Sequence, residues 1–286
     1  MTSYAVFRRP RGWAALACAF LVGCAARNDS ADRLSAAFQA RTPILPEPGL
    51  TLEAAYQVQD ALVERLIPSQ GRLVGFKAGL TTPATQQRFG VTHPLRGVLL
   101  ERMLLPSGST VAADFGARPL YEGDLILRVG SEAINQAQTD AELLAALDAV
   151  VPFIELPDLV YSADAQLDGP ALAAINVGAR LGILGDPVPL PATRGSEFLE
   201  GIRVQVLGAD GTALAEGSST ALLGHPLNAV RWLRDELQAA GQRLEPGMLL
   251  SLGSLTPLTP PPAGQTVTVR YHGLRATPVD LTVTFR

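Results

Sequence analysis

The sequence predicts a β-rich α+β fold with a small helical segment at its N-terminal end. From residue 72 onward, short apolar stretches such as YEGDLILRV and VVPFIEL are separated by glycine and proline, a texture typical of strands and turns. Residues 30–70 instead carry apolar side chains at helical spacing. The sequence has neither a glycine-rich phosphate loop nor a regular alternation of strands and helices, so a doubly wound nucleotide-binding sheet is not predicted.

Helices are predicted where capping residues precede an apolar periodicity. They cover residues 30–41, 51–66, 82–90, 139–150 and 225–241. Thr51 is placed to cap the second helix, and Thr139 with Glu142 forms a capping box at the start of the fourth. Pro226 and Gly241 mark the first turn and the end of the last helix. Hairpin turns are predicted at GADG (208–211) and YHG (271–273).

The chain is long enough for one sizeable core, and its charge argues against nucleic acid as a partner. It has 286 residues, of which 47% are hydrophobic, and a formal net charge of −4. A negatively charged protein without basic runs is not attracted to nucleic acid or to anionic membrane surfaces. We divide the chain into residues 1–23, residues 24–70 (a tether and the N-terminal helical segment) and residues 71–286 (a β-rich domain of catalytic type).

The first 23 residues have the pattern of an export signal. A basic start precedes WAALACAFLVG, an apolar run of about 11 residues that is too short to span a bilayer. The run ends in LVGC, which resembles the lipobox of bacterial lipoproteins. We therefore expect a signal peptide over residues 1–23, lipidation of Cys24, and a periplasm-facing protein of the bacterial cell envelope whose membrane contact is this anchor. An ordinary signal peptide, and a misassigned start codon that would leave the protein cytoplasmic, are the alternatives.

Lys77, in LVGFKAGLT, is the only lysine of the chain, since every other basic residue counted with it is arginine. Arginine does not lose its proton at ordinary pH, whereas a lysine in a partly dry site can. Lys77 is therefore a candidate for proton transfer or for a compact positive charge beside a substrate. The alternative is that an arginine-rich codon usage left one lysine on the surface.

Two acidic residues share one face of a predicted strand. In YEGDLILRV, strand alternation directs Glu122 and Asp124 to the same side, with Gly123 between them. Two carboxylates placed in this way repel each other unless a cation lies between them or one is protonated. The alternative is a solvated strand face with incidental acids.

A third acid, Glu155, ends the apolar run VVPFIEL, which is typical of a buried strand. Three oxygen ligands with open positions suit Mg²⁺, Mn²⁺ or Ca²⁺. Zinc fits poorly, because the three histidines show no ligand spacing and no cysteine would remain free after removal of the signal and lipidation.

Taken together, these motifs resemble the fumarylacetoacetate hydrolase superfamily, and more closely its 2-keto-4-pentenoate hydratase / 4-oxalocrotonate decarboxylase branch. The likeness extends in the family's order from about residue 50 to the C-terminus. The stretches that carry it are VGFKAGLT (74–81), QQRFGVTHP (86–94), EGDL (122–125), PFIE (152–155), INVGARLG (175–182) and GHPLNAVRWL (224–233).

The resemblance implies a mixed β-roll core that binds Mg²⁺ or Mn²⁺ through Glu122, Asp124 and Glu155. It also implies a metal-dependent hydratase or lyase for small 2-oxo or 2-hydroxydienoic acids, with a decarboxylase or a C–C hydrolase as alternatives. The metal would polarise the 2-oxo group as a Lewis acid. Lys77 would move protons or hold the substrate carboxylate, and the protein would be a homo-oligomer.

Two more residues are candidates for substrate binding. Asn176 is placed to hydrogen-bond the substrate or a ligand carboxylate, although it could equally be a turn residue. Arg96 is placed to meet an anionic substrate, with an ion pair to Glu122 or Asp124 as the alternative. A second hypothesis for the whole protein is a lipid-anchored, catalytically reduced binding protein for a metal-chelated small oxo acid.

Overall fold

The computed structural model describes the backbone of residues 13–190 and 195–286, and the side chains of residues 27–190 and 195–286. The helices are α1 (Trp13–Ala40), α2 (Leu52–Gln70), α3 (Pro83–Arg88), α4 (Asp140–Ala145), α5 (Gly169–Ala174), α6 (Glu197–Glu200) and α7 (Pro226–Ala239). The strands are β1 (Leu73–Gly79), β2 (Leu95–Leu100), β3 (Leu104–Pro106), β4 (Ser109–Val111), β5 (Glu122–Val129), β6 (Leu147–Leu156), β7 (Leu181–Leu184), β8 (Val188–Pro189), β9 (Arg203–Leu207), β10 (Ala213–Ser218), β11 (Leu249–Ser251), β12 (Gln265–His272) and β13 (Val279–Phe285).

The described strands form two mixed sheets. The larger has the order β2-β1-β11-β5-β6-β7-β3, with β8 paired to β6, and the smaller has the order β10-β9-β12-β13-β4. Most neighbours are antiparallel, but the pairs β1/β11, β3/β7 and β4/β13 are parallel. The predicted β-rich α+β fold is therefore confirmed, with few helices around a curled sheet.

The antiparallel pair β5 and β6 in the larger sheet carries the predicted acids. The ladder between the two strands begins at the pair Glu122↔Glu155 and continues to Val129↔Leu147. Every residue of β6 except Asp148 is buried. The apolar sequence of β6 thus forms a core strand, which delivers the Glu155 carboxylate to one end of the sheet.

The smaller sheet packs against one face of β5. A Cβ added to Gly123 would lie 2.9 Å from Val204 and 3.3 Å from Val269, so the missing side chain makes room for the second sheet. Tyr271 of β12 donates its hydroxyl to the backbone carbonyl of Asp124 at 2.9 Å. Because side chains alternate along a strand, the side chains on either side of Gly123 point into the concave side of the larger sheet.

The helix predicted over residues 139–150 is shorter than expected. Its capping box is present, since the Thr139 hydroxyl accepts from the Glu142 amide at 3.2 Å, but α4 ends at Ala145. Residues 147–155 instead pair with β5. Residues 147–150 had only a weak helical periodicity, and a β-branched residue such as Val150 favours a strand. Pairing with the sheet therefore stabilises this segment more than a longer helix would.

The N-terminal helices pack onto the β-rich part of the chain. Ala31, Leu34 and Ala37 of α1 are buried together with the inner face of α2. From α2, the Gln59 amide donates to the backbone carbonyls of Arg96 at 2.9 Å and of Ala173 at 2.8 Å. The domain boundary predicted between residues 70 and 71 stays a prediction.

Part of the predicted export signal lies outside the described residues. Residues 1–12 are not described, and for Cys24 only the backbone is described, as part of α1. The predicted lipidation therefore concerns a side chain outside the described ones. No helix in the described part of the chain is long and apolar enough to cross a lipid bilayer.

Candidate functional site

A cavity of about 690 Å³ opens at the end of the β5–β6 strand pair where Glu122 and Glu155 lie. Lys77, Glu122 and Glu155 line its polar part, and leucine, alanine and proline side chains make up much of the remaining wall. The volume is in the range of sites that enclose small ligands. Of the four residues predicted to form the reactive centre, Lys77, Glu122 and Glu155 thus line this cavity, and Asp124 does not.

Lys77 and Glu155 form a buried ion pair inside this cavity. The Lys77 ammonium donates to Glu155 Oε1 and, at 2.9 Å, to the carbonyl of Val177. Both charged side chains are 4% exposed. Their strands, β1 and β6, are separated by β11 and β5, which in a flat sheet would place them about 14 Å apart. The contact therefore requires a curled sheet, whose concave side holds the site.

Glu122 lies directly opposite Glu155 in the ladder and is 3% exposed. Burial raises the pKa of the Glu122 carboxyl well above its usual range, and repulsion by Glu155 raises it further. Its Oε2 is buried without a hydrogen-bond partner among the described residues. Such an atom is costly to bury, which indicates a position that a proton or a cation normally satisfies.

Asp124 is fully buried behind Glu122. Its carboxylate accepts the Ser251 hydroxyl at 2.5 Å and the Gly253 amide at 3.0 Å. Burial, followed by repulsion from Glu155, raises the pKa of Asp124 to about 8, although the Ser251 hydrogen bond opposes this shift. The three predicted acids are therefore close enough to influence one another.

The acids are not arranged as a ready coordination sphere. Among the described residues, no group of three or more His, Cys, Asp and Glu side chains is placed to hold a metal ion. In this structure Glu155 accepts a hydrogen bond from the Lys77 ammonium, and Asp124 accepts one from the Ser251 hydroxyl. The chemistry nevertheless suits a hard divalent cation, since three buried carboxylates face one ammonium and one oxygen is unpaired.

Asn176 lies beside the site, but its side chain is used within the fold. Its amide accepts from the Val98 N–H at 2.7 Å and donates to the Val98 carbonyl at 2.9 Å, so it acts as a strand-like partner for the edge strand β2. Asn176 and Val177 have φ values of 55° and 52°. This left-handed turn aims the Val177 carbonyl at Lys77. Asn176 thus anchors the turn whose next residue, Val177, accepts a hydrogen bond from Lys77.

Gly97 provides the space for the lysine side chain. It is the register partner of Lys77 across the β1–β2 ladder. A Cβ added to Gly97 would lie 2.9 Å from Lys77 Cγ and 2.9 Å from the Asn176 carbonyl. Any larger residue at this position would displace the amine or the turn that holds it.

Arg96 does not reach the cavity, contrary to the substrate-binding role expected for it. Since Gly97 shares a face with Lys77, strand alternation turns Arg96 to the opposite side of β2. There its guanidinium lies 4.4 Å from the centre of the Tyr56 ring and 3.7 Å from both Asp60 and Glu236. Arg96 connects the sheet to α2 and α7, and its ion-pair partners are not the acids of the site.

The sequence reasoning missed two arginines that line the cavity, Arg88 at the end of α3 and Arg118 before β5. Neither guanidinium is within ion-pair distance of a carboxylate in the described part of the chain. Arg118 precedes Glu122 by four residues, so continued strand alternation could have placed both on one face. Pro119 concealed this signal, because proline argues against a strand.

Comparison with known proteins identifies relatives along most of the chain. The sequence is 31% identical over 250 residues to the TodF product hydratase of Pseudomonas putida, covering 86% of this chain and 91% of that protein. It is 30% identical over 253 residues to the 2-keto-4-pentenoate hydratase of Paraburkholderia xenovorans, covering 87% and 92%. It is 27% identical over 231 residues to the 4-oxalocrotonate decarboxylase of Pseudomonas putida, covering 79% and 84%. No family model matches the sequence.

Solved structures show the same fold. The 4-oxalocrotonate decarboxylase from Pseudomonas putida G7, complexed with magnesium and adipate, superimposes with a TM-score of 0.79 at 25% identity over 91% of this chain and 97% of that one. A yeast protein of the fumarylacetoacetate hydrolase family superimposes with a TM-score of 0.53 at 16% identity, covering 76% and 94%, and shows likeness of fold alone. The predicted β-roll core is thus confirmed.

The predicted location as a periplasm-facing lipoprotein is wrong. The relatives are hydratases and decarboxylases, matched over as much as 92% of their length. The pattern that suggested an anchor, LVGC, lies within the backbone of α1. Four residues at the end of an apolar run do not distinguish a lipobox from part of a helix, which is the physical reason for the error. The alternative of a lipid-anchored binding protein is therefore unsupported as well.

Proposed function

The chain belongs to the family of 2-keto-4-pentenoate hydratases and 4-oxalocrotonate decarboxylases, and from this membership we propose that it is a divalent-metal-dependent lyase for a small 2-oxo or 2-hydroxydienoic acid. The observation that carries the proposal is the buried trio of Glu122, Asp124 and Glu155, in which Glu122 Oε2 lacks a hydrogen-bond partner among the described residues. The trio stands beside Lys77 in a cavity large enough for a small ligand.

Glu122, Asp124 and Glu155 would hold Mg²⁺ or Mn²⁺. Carboxylate oxygens are the ligands that these ions prefer, and two solved structures of the 4-oxalocrotonate decarboxylase contain magnesium or calcium. When bound, the ion supplies Lewis-acid polarisation of the substrate's 2-oxo group. To bind the ion, the Glu155 carboxylate would have to take it as a partner in place of the Lys77 ammonium.

Lys77 is the proposed proton-transferring group. In the described structure its ammonium is held by Glu155 and by the Val177 carbonyl. With Glu155 holding a cation, Lys77 would still have the Val177 carbonyl as its acceptor, and its ammonium would be available to a ligand in the cavity that it lines. Its chemistry allows proton exchange with a substrate carbon or oxygen, which a guanidinium does not offer.

The walls of the cavity complete the proposed site. Leu80, Leu159 and Leu172 are among the apolar residues that line it. An apolar wall disfavours water inside a cavity, and a drier cavity strengthens the electrostatic contacts made within it. The substrate is therefore proposed to be a small acid with an unsaturated or aliphatic chain. A homo-oligomeric assembly stays a prediction.

The proposal is tested by incubating the purified protein with Mg²⁺ and freshly generated 2-hydroxypenta-2,4-dienoate while the conjugated absorbance is followed. We expect loss of absorbance that a chelator abolishes and that Mn²⁺ restores. Glu122→Gln should remove the activity, whereas Glu132→Gln, an exposed residue outside the cavity, serves as the matched control. Absence of turnover with both ions, together with unchanged melting temperature on addition of oxalate and Mg²⁺, would reject the proposal.

A further inference from the structure

Tyr271, a fully buried residue of β12 in the smaller sheet, places its hydroxyl between the two strands that carry the acids. The hydroxyl oxygen accepts a hydrogen bond from the Phe153 N–H at 3.1 Å. Its O–H donates to the Asp124 carbonyl at 2.9 Å and also lies 2.5 Å from the Phe153 carbonyl. The tyrosine thus holds backbone groups of β5 and of β6 at the same time.

The two residues that the hydroxyl contacts face each other in the ladder. Asp124 and Phe153 are register partners. The carbonyl of the next residue, Leu125, accepts from the Leu252 N–H at 3.0 Å, on the side of β5 that faces β11. Since successive carbonyls of a strand point to opposite edges, the Asp124 carbonyl points towards β6. In a regular antiparallel ladder it would accept directly from the Phe153 N–H, and here the Tyr271 hydroxyl bridges the two groups.

Tyr271 reaches this bridge from the face opposite to the acids. Val269, two residues earlier on β12, shares a face with Tyr271 and would lie 3.3 Å from a Cβ added to Gly123. The face of Gly123 is opposite to that of Glu122 and Asp124. Tyr271 lies outside the lining of the cavity, so it can act on the acids only through the backbone that carries them.

The bridge lies next to the pair of glutamates. Glu122 pairs with Glu155 two residues along the ladder from the bridged Asp124. Glu122 and Asp124 are carried by β5, and the Ser251 hydroxyl also holds the Asp124 carboxylate. Glu155 alone is carried by β6. The separation of Glu155 from the other two carboxylates therefore depends on the distance between β5 and β6 at these pairs.

Resting on the proposed function, we propose that Tyr271 is a positioning residue that fixes the spacing of β5 and β6 and thereby fits the three acids to their divalent ion. An oxygen bonded to both strands sets their separation where it lies. Without it, the Phe153 N–H must bond to the Asp124 carbonyl directly or stay unbonded, and either change moves Glu155 relative to Asp124. Contacts that orient metal ligands typically change metal affinity by 10- to 100-fold.

The test compares Tyr271→Phe, which removes the hydroxyl and keeps the ring, with Tyr161→Phe as a matched control. Tyr161 is 2% exposed, and its hydroxyl donates to the Ala171 carbonyl at 3.3 Å, outside the lining of the cavity. The dissociation constant of Mn²⁺ is measured by calorimetric titration of the protein without substrate. We expect Tyr271→Phe to weaken Mn²⁺ binding at least about tenfold and Tyr161→Phe to stay within about threefold of wild type.

Melting temperatures in chelator separate positioning from a general loss of stability. Both variants lose a buried hydrogen bond, so both should melt at a lower temperature than wild type. A merely structural tyrosine would lower the melting temperature and leave the Mn²⁺ affinity of the folded protein unchanged. A crystal structure of Mn²⁺-loaded wild type adds a measurement that does not depend on the folding of a variant. In it, the Tyr271 hydroxyl should lie within about 3.5 Å of both the Phe153 nitrogen and the Asp124 carbonyl oxygen.

Two results would overturn the positioning role and leave the proposed function standing. One is a loss of Mn²⁺ affinity in Tyr271→Phe that is no larger than in Tyr161→Phe, while wild type binds the ion. The other is a Mn²⁺-loaded structure in which the Tyr271 hydroxyl has left either strand. If wild type binds neither Mn²⁺ nor Mg²⁺, the proposed function fails, and the positioning role fails with it.

Discussion

The Lys77 ammonium and the Glu155 carboxylate form an ion pair from strands that are not neighbours in the sheet, and both side chains are 4% exposed. One ammonium balances one of three buried carboxylates, so Glu122 and Asp124 remain without a buried cation. Burial raises the pKa values of both carboxyls, and repulsion by Glu155 raises them further. A divalent ion would neutralise the remaining negative charge and would compete with Lys77 for Glu155. We therefore expect metal binding and proton transfer to be coupled through the Lys77–Glu155 pair.

Lys77→Arg should abolish most of the activity while the protein stays folded. Arginine preserves the positive charge toward Glu155 but cannot exchange a proton at ordinary pH, so kcat should fall by about 10²- to 10⁴-fold. The measurement is kcat at saturating Mg²⁺ alongside the melting temperature. Full activity of this variant would remove the proton-transfer role.

Without divalent ions, the protein should become less stable as the pH rises from about 4 to about 8. Asp124 has an ordinary pKa of 3.8 and a pKa of about 8 in the folded state, and the pKa of Glu122 is raised as well. In this interval the folded protein holds protons that the unfolded chain has lost, so deprotonation favours unfolding.

The same shifts predict a pH-dependent response to metal. Because a cation binds the deprotonated carboxylates, Mg²⁺ should raise the melting temperature more at pH 8 than at pH 6. Thermal unfolding at both pH values, with chelator and with Mg²⁺, checks this expectation. Asp124→Asn should weaken the pH dependence, and a melting temperature that rises with pH in chelator would contradict the argument.

Asn176→Ala should destabilise the protein and slow turnover. The substitution leaves the N–H and the carbonyl of Val98 without their partner and frees the turn that aims the Val177 carbonyl at Lys77. We expect the free energy of unfolding to fall by about 1–3 kcal/mol, measured by urea denaturation. A purely structural role would leave kcat of the folded fraction unchanged, whereas the positioning role lowers it.

Arg96→Met should affect stability but not substrate binding. The guanidinium packs on the Tyr56 ring and lies near Asp60 and Glu236, on the opposite face from Lys77. We expect the free energy of unfolding to decrease by roughly 1–3 kcal/mol, with KM unchanged. An increase of KM at unchanged stability would show that the sequence-based role in substrate binding was right after all.

Local patterns along the chain predicted the main features of the fold and indicated the acids of the candidate site. Strand alternation was sufficient to place Glu122 and Asp124 on one face, and the apolar run before Glu155 was sufficient to indicate a buried strand. Each of these inferences needs only neighbouring residues, because burial on one face of a strand leaves a period of two in the sequence.

Features that depend on distant pairing could not be predicted in this way. Arg96 and Lys77 belong to neighbouring strands, and only the register that pairs Lys77 with Gly97 shows that Arg96 faces away. Arg118 joins the site because Pro119 is bridged to Asp158, a contact that a proline conceals in the sequence. The location predicted from the N-terminal pattern was wrong for another reason. A short apolar run ending in cysteine can be a lipobox or simply part of a helix.

The most direct test of the central claim is a crystal structure of the protein grown with Mn²⁺, in which anomalous scattering locates the ion. The account predicts one Mn²⁺ within about 2.5 Å of an oxygen from each of Glu122, Asp124 and Glu155, with Lys77 displaced from Glu155. An ion located elsewhere, or none at full Mn²⁺ saturation while the Lys77–Glu155 pair stays intact, would contradict it.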